Sequence, residues 1–407
     1  MQGLVYHMSP QRRVYPLTAL RMKAINSAVF FELARHKDRL RTAGRRVVDL
    51  GIGTPDQPPP PTVLRALSEA VHSPEAFRYP GTDGTRRLRQ AASAYMARRF
   101  SVNVDPDVEL LVLIGAQDRL SHLPLAMTDP GDTVIAPDPG YPIYSVAAHL
   151  ADAALHALPL LAENHYLPDF SAIPPDVYRR TKIMILNYPN NPTGATAPRG
   201  VLEQAVQLAR THGFLLVHDA AYAELVMDGP TAPSLLQIPG GKDVGIELHS
   251  LSKMFNFAGV RVAFAVGNSN ALQALRTLKS NIDYGVFLPV QAAAAVALEE
   301  GDAFISSLRA EYKRRRDAFL APLHNAGWSV APPRATMFVW ARLPGNSTSR
   351  EFALRLLDET GVGCVPGSGF GALGEGFVRF ALVQPPDILE KAGHSIAAAL
   401  RDGVILS

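Results

Sequence analysis

The chain has 407 residues, enough for two or three domains with a large buried core. Its 47% hydrophobic and 19% charged residues exclude a disordered chain and a membrane-embedded one. The formal charge is only +3, and basic and acidic residues are interspersed along the chain. This distribution argues against nucleic-acid binding.

Cysteine usage and the N-terminal composition indicate where the protein works. Cys364 is the only cysteine in the sequence, so neither an intrachain disulfide nor a cysteine-rich metal site can form. Its apolar neighbours Val362 and Val365 favour an inert core residue. Residues 1–16 contain no apolar stretch before their basic pair, and no later run reaches the roughly 18 apolar residues of a membrane span. We therefore expect a soluble, unexported protein in a reducing, cytoplasmic setting.

The proline run 58–61 opens a predicted helix, Thr62–Val71, and short apolar runs then alternate with helical patterns up to residue 300. The apolar runs predict buried strands at 109–115, 132–137, 181–187, 213–219, 244–250 and 261–267. The helical patterns between them include Gln117–Met127, Pro198–Thr211 and Asn268–Ser280. This order predicts an α/β large domain over 62–300, with a doubly wound, mostly parallel sheet.

The pattern changes after residue 300. A long helix is predicted at 302–324, a strand at 337–343, a helix from Ser349 and a strand at 376–382. This order predicts a smaller α+β domain over 301–407, and we expect the N-terminal segment 1–61 to pack on it. In open α/β sheets, ligands bind at the carboxyl ends of the strands. Polar residues follow several predicted strands, so a ligand site is expected there.

Lys253 follows a fully apolar strand, where a buried ammonium is unfavourable unless it is paired or loses its proton. A desolvated lysine is what Schiff-base chemistry needs, because the neutral amine is the nucleophile. A lysine that extends from the strand end into water is the alternative interpretation. The neighbours favour chemistry, since Ser250 and Arg261 could hold a phosphate beside the amine.

Two further segments fit a phosphorylated, ring-shaped cofactor. The strand, glycine turn and helix at 113–126 would present the backbone N–H groups of Ala116 and Gln117 to a phosphate, although ordinary α/β connections look the same. Asp219 ends a strand, where its carboxylate needs a cation such as a protonated pyridine nitrogen. Tyr222 and Asn191 could hydrogen-bond a phenolate oxygen, although the turn-rich loop around Asn191 is equally explained as a tight turn.

Taken together, the ordered motifs resemble the class I/II aminotransferases of the fold type I pyridoxal-phosphate enzymes. The motifs span nearly the whole chain: YP at Tyr79, PGYPxY at Tyr141, NYPNNPTG at Asn191, HDAAY at Asp219 and Tyr222, SLSK at Ser250 and Lys253, Arg261, and VRFAL at Arg379. Each motif is weak alone, and the ordered set is specific.

The resemblance implies the cofactor pyridoxal 5'-phosphate and a role for each matching residue. Lys253 would carry the cofactor as a Schiff base and later move protons, and Asp219 would pair the pyridinium. Tyr141 would stack on the ring, while Asn191 and Tyr222 would bind the phenolate oxygen. The phosphate would be held by Ala116, Gln117, Ser250 and Arg261, with Tyr79 from the partner subunit of a homodimer. Arg379 would clamp the substrate carboxylate with Asn191 and the backbone of Gly53. No metal is implied.

Several stretches are most similar to LL-diaminopimelate aminotransferases, which implies an amino acid and a 2-oxo acid, usually 2-oxoglutarate, as substrates. The sequence departs from that pattern at YPGTDGTRRLR (79–89), at Tyr284 and at KMFNFAGV (253–260). We expect these positions to face the cofactor or the substrate side chain. An aminotransferase of a specialised amino-acid pathway therefore remains an alternative.

Other functions use the same features. A carbon–sulfur lyase or a decarboxylase on this scaffold would need the same lysine and aspartate. A ligand-sensing regulator would need a DNA-binding domain, which the residues before Leu50 do not resemble. A metal hydrolase is disfavoured because His122, His149, His156 and His218 lack ligand spacing.

Overall fold

The structure is a computed structural model, and it describes Ala19, Arg21, Met22, Ile25 and residues 28–406. The expectation of no export signal in residues 1–16 lies outside the described residues. The strands are β1 (Val48–Asp49), β2 (Leu110–Leu113), β3 (Thr133–Asp138), β4 (Ala154–Pro159), β5 (Thr181–Asn187), β6 (Leu215–Asp219), β7 (Gly245–Ser250), β8 (Ala263–Gly267), β9 (Phe338–Arg342), β10 (Val362–Gly363), β11 (Val365–Pro366) and β12 (Phe377–Ala381).

The helices separate these strands along most of the chain. They are α1 (Ala28–Thr42), α2 (Pro61–Val71), α3 (Arg86–Phe100), α4 (Ala116–Met127), α5 (Ile143–Leu150), α6 (Pro175–Arg180), α7 (Arg199–His212), α8 (Gly241–Val244), α9 (Leu251–Met254), α10 (Ser269–Ile282), α11 (Leu288–Glu300), α12 (Asp302–Asn325), α13 (Ser349–Thr360) and α14 (Pro386–Arg401). No described helix is both long enough and apolar enough to cross a membrane.

Within the described residues, the large sheet has seven strands in the order β2-β8-β7-β6-β5-β3-β4. Strands β7, β6, β5, β3 and β4 are parallel to one another, and β8 runs antiparallel to both β2 and β7. The prediction of a mostly parallel sheet is confirmed. Because the parallel strands end at one edge, Asn187, Asp219 and Ser250 are brought close together.

Both faces of this sheet are covered by helices, as expected for strands that read as unbroken apolar runs. Along β5, Ile183 and Ile185 pack in a core with residues of α4 and α10, whereas Met184 and Leu186 pack in a core with residues of α7. The alternation follows from side chains pointing to opposite faces of a strand. The sheet is therefore doubly wound.

The C-terminal part forms a second layer around the three-stranded sheet β11-β12-β9. Helices α12, α13 and α14 cover it, and the buried core between them includes Phe319, Phe352 and Phe380. The short strand β1 pairs in parallel with β10, and Leu33 and Leu50 join the same core. These contacts support packing of the N-terminal segment on the C-terminal part. The domain boundaries near residues 61 and 301 stay a prediction.

One strand of the large sheet was not predicted. Strand β4 lies at the edge of the sheet, and most of its side chains are exposed or half-buried. Its sequence, ALHALP, therefore lacks the apolar run that marks the buried strands. The free cysteine, Cys364, is buried in the C-terminal core as expected, and burial raises the pKa of its thiol.

Candidate active site

A cavity of about 550 Å³ lies at the carboxyl ends of the central strands, where the large sheet meets the C-terminal part. All but one of the residues predicted to form a site line it: Gly53, Ala116, Gln117, Tyr141, Asn191, Asp219, Tyr222, Ser250, Lys253, Arg261 and Arg379. These side chains come from segments more than 300 residues apart in the chain. The site is thus a product of the tertiary fold.

Lys253 lies in α9, the single helical turn that follows β7. The turn begins at Ser250, whose hydroxyl accepts a hydrogen bond from the N–H of Ser252. Lys253 Nζ points across the cavity and donates to the backbone oxygen of Gly53. Burial lowers the pKa of Lys253 to about 8, and the charges of Arg379 and Arg261 act in the same direction. A useful fraction of the amine is therefore neutral near physiological pH.

Asp219 lies at the end of β6 and is buried. Its Oδ2 accepts a hydrogen bond from the Tyr144 hydroxyl at 2.8 Å, and its Oδ1 accepts one from the N–H of Ala221 at 3.2 Å. Burial raises the pKa of Asp219, and these hydrogen bonds oppose the shift. Asn187 fixes the backbone, because its Nδ2 donates to the Asp219 oxygen at 2.8 Å. These contacts hold the carboxylate in place, and it is suited to accept a hydrogen bond from a protonated nitrogen.

A cradle for an anion lies on the other side of Lys253. Helix α4 begins at Ala116, and no side chain caps its N-terminus, because the preceding residue is Gly115. Arg261 packs directly against that glycine: a Cβ at position 115 would lie 2.4 Å from Arg261 Nη2. Arg261 Nη1 donates to the Ala258 oxygen at 2.9 Å, which orients the guanidinium. Free helix N–H groups beside an arginine form a phosphate site.

Arg379 extends from β12 and is the most constrained charge in the cavity. Its Nη1 donates to Asn191 Oδ1 at 2.8 Å and its Nη2 donates to the Gly51 oxygen at 2.7 Å. The guanidinium lies between two aromatic rings, 4.1 Å from the Phe338 centroid and 4.5 Å from the Phe370 centroid. Burial lowers the pKa of Arg379 to about 10, so the group stays charged at neutral pH. Its Nε is buried without a hydrogen-bond partner, as expected of a group that binds a carboxylate.

Two tyrosines complete the cavity wall. The Tyr141 hydroxyl donates to Gln117 Oε1 at 2.6 Å, which fixes the ring near the N-terminus of α4. Tyr222 is buried, and its ring meets the Phe338 ring edge-on at 5.6 Å. Burial raises the pKa of both hydroxyls, so both are hydrogen-bond donors at neutral pH.

Tyr79 is the one predicted site residue that does not line this cavity. It is 84% exposed, and its ring contacts that of Tyr284, which is 67% exposed, at 4.9 Å between centroids. Neither residue reaches the site of its own chain. The structure also corrects the expectation that KMFNFAGV faces the ligand throughout. Met254, Phe255 and Phe257 are buried in the core with α3 and α11, because the tight α9 turn directs only Lys253, Ala258 and Gly259 to the cavity.

Several cavity residues were not singled out from the sequence: Tyr144, Asn187, Ser252, Phe338 and Phe370. Tyr144 had a usable signal, because it is the last residue of the PGYPxY motif that contains Tyr141. Ser252 lay within the SLSK motif. Phe338 and Phe370 look like any core phenylalanine, and only the fold shows that they flank a charge.

The chain resembles known proteins in both sequence and fold. The family model described as aminotransferase class I and II matches residues 45–396. An LL-diaminopimelate aminotransferase of Nitratidesulfovibrio vulgaris is 42% identical over 378 residues, covering 93% of this chain and 97% of its own. A probable N-succinyldiaminopimelate aminotransferase of Thermus thermophilus is 40% identical, with a TM-score of 0.87 over 91% of this chain and all of its own. Substrate-bound BacF of Bacillus subtilis is 35% identical, with a TM-score of 0.91 over 94% of this chain and 98% of its own.

The packing of Gly115 against Arg261 generates a prediction. Gly115→Ala should weaken binding of pyridoxal 5'-phosphate by about tenfold or more, because the added methyl group displaces the guanidinium, and one charge-assisted hydrogen bond contributes about 1.5–3 kcal/mol. Equilibrium dialysis against the cofactor measures the change. Gly131→Ala is the matched control, since Gly131 also has a positive φ but no atom within 4 Å of the added Cβ. Equal losses in the two variants would mean that backbone strain alone is responsible.

The lowered pKa of Lys253 generates a second prediction. Because only the neutral amine reacts with an aldehyde, cofactor-free protein should take up pyridoxal 5'-phosphate faster as pH rises, with a plateau above the pKa of about 8. Stopped-flow absorbance between pH 6 and 10 measures the rate. A lysine with an ordinary pKa would still show a rising rate at pH 10, which would contradict the assigned environment of Lys253.

Proposed function

Because the chain belongs to the class I and II aminotransferases, which use pyridoxal 5'-phosphate, we propose that it transfers an amino group between LL-diaminopimelate and 2-oxoglutarate. The aminotransferase activity follows from the family. The substrate is our proposal, and it is supported by the names of relatives about 42% identical over nine-tenths of the chain. The observation that carries the proposal is a buried amine, a buried carboxylate and a sandwiched arginine lining one cavity.

The residues present fit the cofactor. Asp219 is an acceptor without a charged hydrogen-bond donor, which matches a protonated pyridine nitrogen. The uncapped N-terminus of α4 and Arg261 match a phosphate dianion. Lys253 lines the same cavity as both groups, where its amine can meet an aldehyde. When bound, pyridoxal 5'-phosphate supplies an electron sink for the electron pair left when the substrate loses its Cα proton, and a temporary carrier for the amino group.

The roles that we propose for the protein groups follow from their surroundings. Asp219 holds the pyridine nitrogen protonated, while Asn191 and Tyr222 donate to the phenolate oxygen. Tyr141 packs on the ring. The N–H groups of Ala116 and Gln117, with Ser250 and Arg261, hold the phosphate.

Substrate binding is assigned to Arg379, and proton transfer is assigned to Lys253. Arg379 binds the α-carboxylate through its free donors, and its contacts with Asn191 and Gly51 set the angle of approach, with Gly53 on the same loop. Once its nitrogen is free, Lys253 is the general base and acid that moves the proton at the substrate's Cα. Its lowered pKa suits it to both halves of that task.

We further propose that the protein is a homodimer in which Tyr79 completes the site of the partner subunit. Four exposed aromatic residues support this: Phe77 pairs with Phe287 at 5.7 Å and Tyr79 with Tyr284 at 4.9 Å between ring centroids. They are from 41% to 84% exposed, and clustered exposed aromatic rings mark interaction surfaces. If so, Tyr284 also lies beside the partner's substrate and contributes to specificity.

We also propose that the enzyme works in the cytoplasm. The support is compositional: the sequence has one cysteine, and that cysteine is buried and free.

The donor and the catalytic lysine are tested together. Purified protein supplied with LL-diaminopimelate and 2-oxoglutarate should form glutamate, and Lys253→Ala should reduce the rate by at least about 10³-fold, since both the anchoring nucleophile and the general base are lost. Coupled detection of glutamate measures the rate. Lys391→Ala is the matched control, because the Lys391 side chain is exposed on the surface of α14. Glutamate formation from other donors alone would reject the proposed substrate, and product without glutamate would indicate a lyase.

The origin of Tyr79 is tested by mixing two defective variants. Tyr79→Ala and Lys253→Ala homodimers each lack one component in both sites, whereas a mixed dimer has one complete site if Tyr79 acts across the interface. After subunit exchange, activity should rise to about a quarter of the wild-type value, because half of the dimers are mixed and each has one intact site. Light scattering confirms the dimer. Activity no higher than the average of the two unmixed variants would place Tyr79 in its own chain's site or in neither.

A further inference from the structure

A buried polar cluster lies on the face of the sheet opposite to the Asp219 side chain, and it does not take part in the chemistry described so far. Its members are His218, Ser234, Glu247 and His249, each at most 1% exposed. Glu247 is the centre. Its Oε2 meets His218 Nδ1 at 2.9 Å and the N–H of Leu235 at 2.7 Å, and its Oε1 meets His249 Nε2 at 2.6 Å. The Ser234 hydroxyl contacts both oxygens, at 3.0 and 3.1 Å.

The hydrogen bonds fix where the protons are. Glu247 accepts from a backbone N–H and a hydroxyl besides the two imidazoles, and so many donors stabilise the carboxylate form. The proton between Glu247 and His218 therefore lies on Nδ1, since imidazole is the stronger base. The other ring nitrogen, Nε2, faces the backbone oxygen of Tyr188 at 3.0 Å, and a carbonyl can only accept. Both contacts are hydrogen bonds only when His218 carries a proton on each ring nitrogen.

His249 contacts the same carboxylate but is in a different state. Its Nε2 donates to Glu247, and its Nδ1 is buried with no hydrogen-bond partner. Its ring stacks on Phe264 at 5.0 Å and meets Tyr95 edge-on at 6.0 Å, so nothing stabilises a second proton. The same carboxylate therefore faces one imidazole with two polar contacts and one with a single polar contact.

His218 connects three segments that carry site residues. It precedes Asp219 in β6 and lies opposite Glu247 of β7, the strand that leads to Ser250 and Lys253. Through the backbone oxygen of Tyr188 it also holds the start of the loop after β5. Asn187, the last residue of β5, donates to the Asp219 backbone oxygen and accepts from the N–H of Asn191. Tyr95 of α3 and Asp219 are the other titratable groups whose charge responds to this cluster.

We propose that His218, held as an imidazolium by Glu247, is a positioning residue that fixes the ends of β5, β6 and β7 relative to one another and places a positive charge beside Asp219. A neutral imidazole could not bond both Glu247 and the Tyr188 oxygen. The charge favours the ionised form of Asp219, which burial alone disfavours. The functional half of this inference rests on the proposed role of Asp219 as the partner of the pyridine nitrogen.

The protonation state is tested directly in cofactor-free protein. With ¹⁵N-labelled histidine, and His218→Gln and His249→Gln for assignment, His218 should show two protonated ring nitrogens at about pH 7.5, where an ordinary histidine is mostly neutral. His249 should show one, which serves as an internal control. In Glu247→Gln His218 should become neutral, and in Glu247→Asp it should stay charged. A neutral His218 in the wild-type protein would overturn the proposal.

The effect on the site is tested by cofactor affinity. Glu247→Gln should weaken pyridoxal 5'-phosphate binding by about tenfold, because the ionised form of Asp219 loses the neighbouring positive charge that favours it. Glu247→Asp should recover most of that loss. Ser234→Ala, which removes a hydrogen bond to Glu247 but leaves both charges, should change binding less than about threefold.

Asp219→Asn separates the two levels of the argument. If Asp219→Asn weakens binding and Glu247→Gln does not, the role of His218 is wrong and the proposed function stands. If Asp219→Asn itself leaves binding unchanged, the assigned role of Asp219 fails. Equal losses in Ser234→Ala and Glu247→Gln would mean that the cluster contributes packing alone.

Discussion

The removal of Lys253 from water is the constraint on which the site depends. An ammonium ion in that position is disfavoured by burial, and two arginines on the same cavity add repulsion. Both arginines are there because the ligands are anions, a phosphate and a carboxylate in the proposed function. The groups that bind the ligands therefore also prepare the nucleophile. Lys253 lies in the single turn of α9, Arg261 precedes β8 and Arg379 lies in β12, so the three basic side chains reach the cavity from separate elements.

Much of this could be predicted from the sequence. Buried parallel strands are unbroken apolar runs, so β5 was placed with its observed bounds and the polar residues after β5, β6 and β7 were expected at one edge. Residues whose chemistry is unusual for their position, such as Lys253 and Asp219, stood out for the same reason. The edge strand β4 did not stand out, since its sequence has no apolar run long enough to mark a buried strand.

What could not be predicted was how ordinary residues serve unusual ones. Phe338 and Phe370 have no sequence signal that separates them from core residues, yet they flank a guanidinium. The histidine spacing argued against a metal hydrolase, but it could not show that His218 and Glu247 pair across neighbouring strands, because that pairing depends on strand register. Conversely, Met254, Phe255 and Phe257 were expected at the ligand because KMFNFAGV departs from the pattern of LL-diaminopimelate aminotransferases, and the tight turn directs them into the core.

The loop Gly51–Gly53 gives the site a dependence on chain completeness. Its two glycine carbonyls are acceptors for opposite walls of the cavity, Gly51 for Arg379 and Gly53 for Lys253. A side chain at Gly53 would lie 2.6 Å from the Phe338 ring, so the backbone itself is the contact surface. The carboxylate-binding part of the site forms only after segments from the beginning, the middle and the end of the chain have come together. During synthesis, a chain that has completed the large sheet therefore has its amine in place but no means of selecting a substrate.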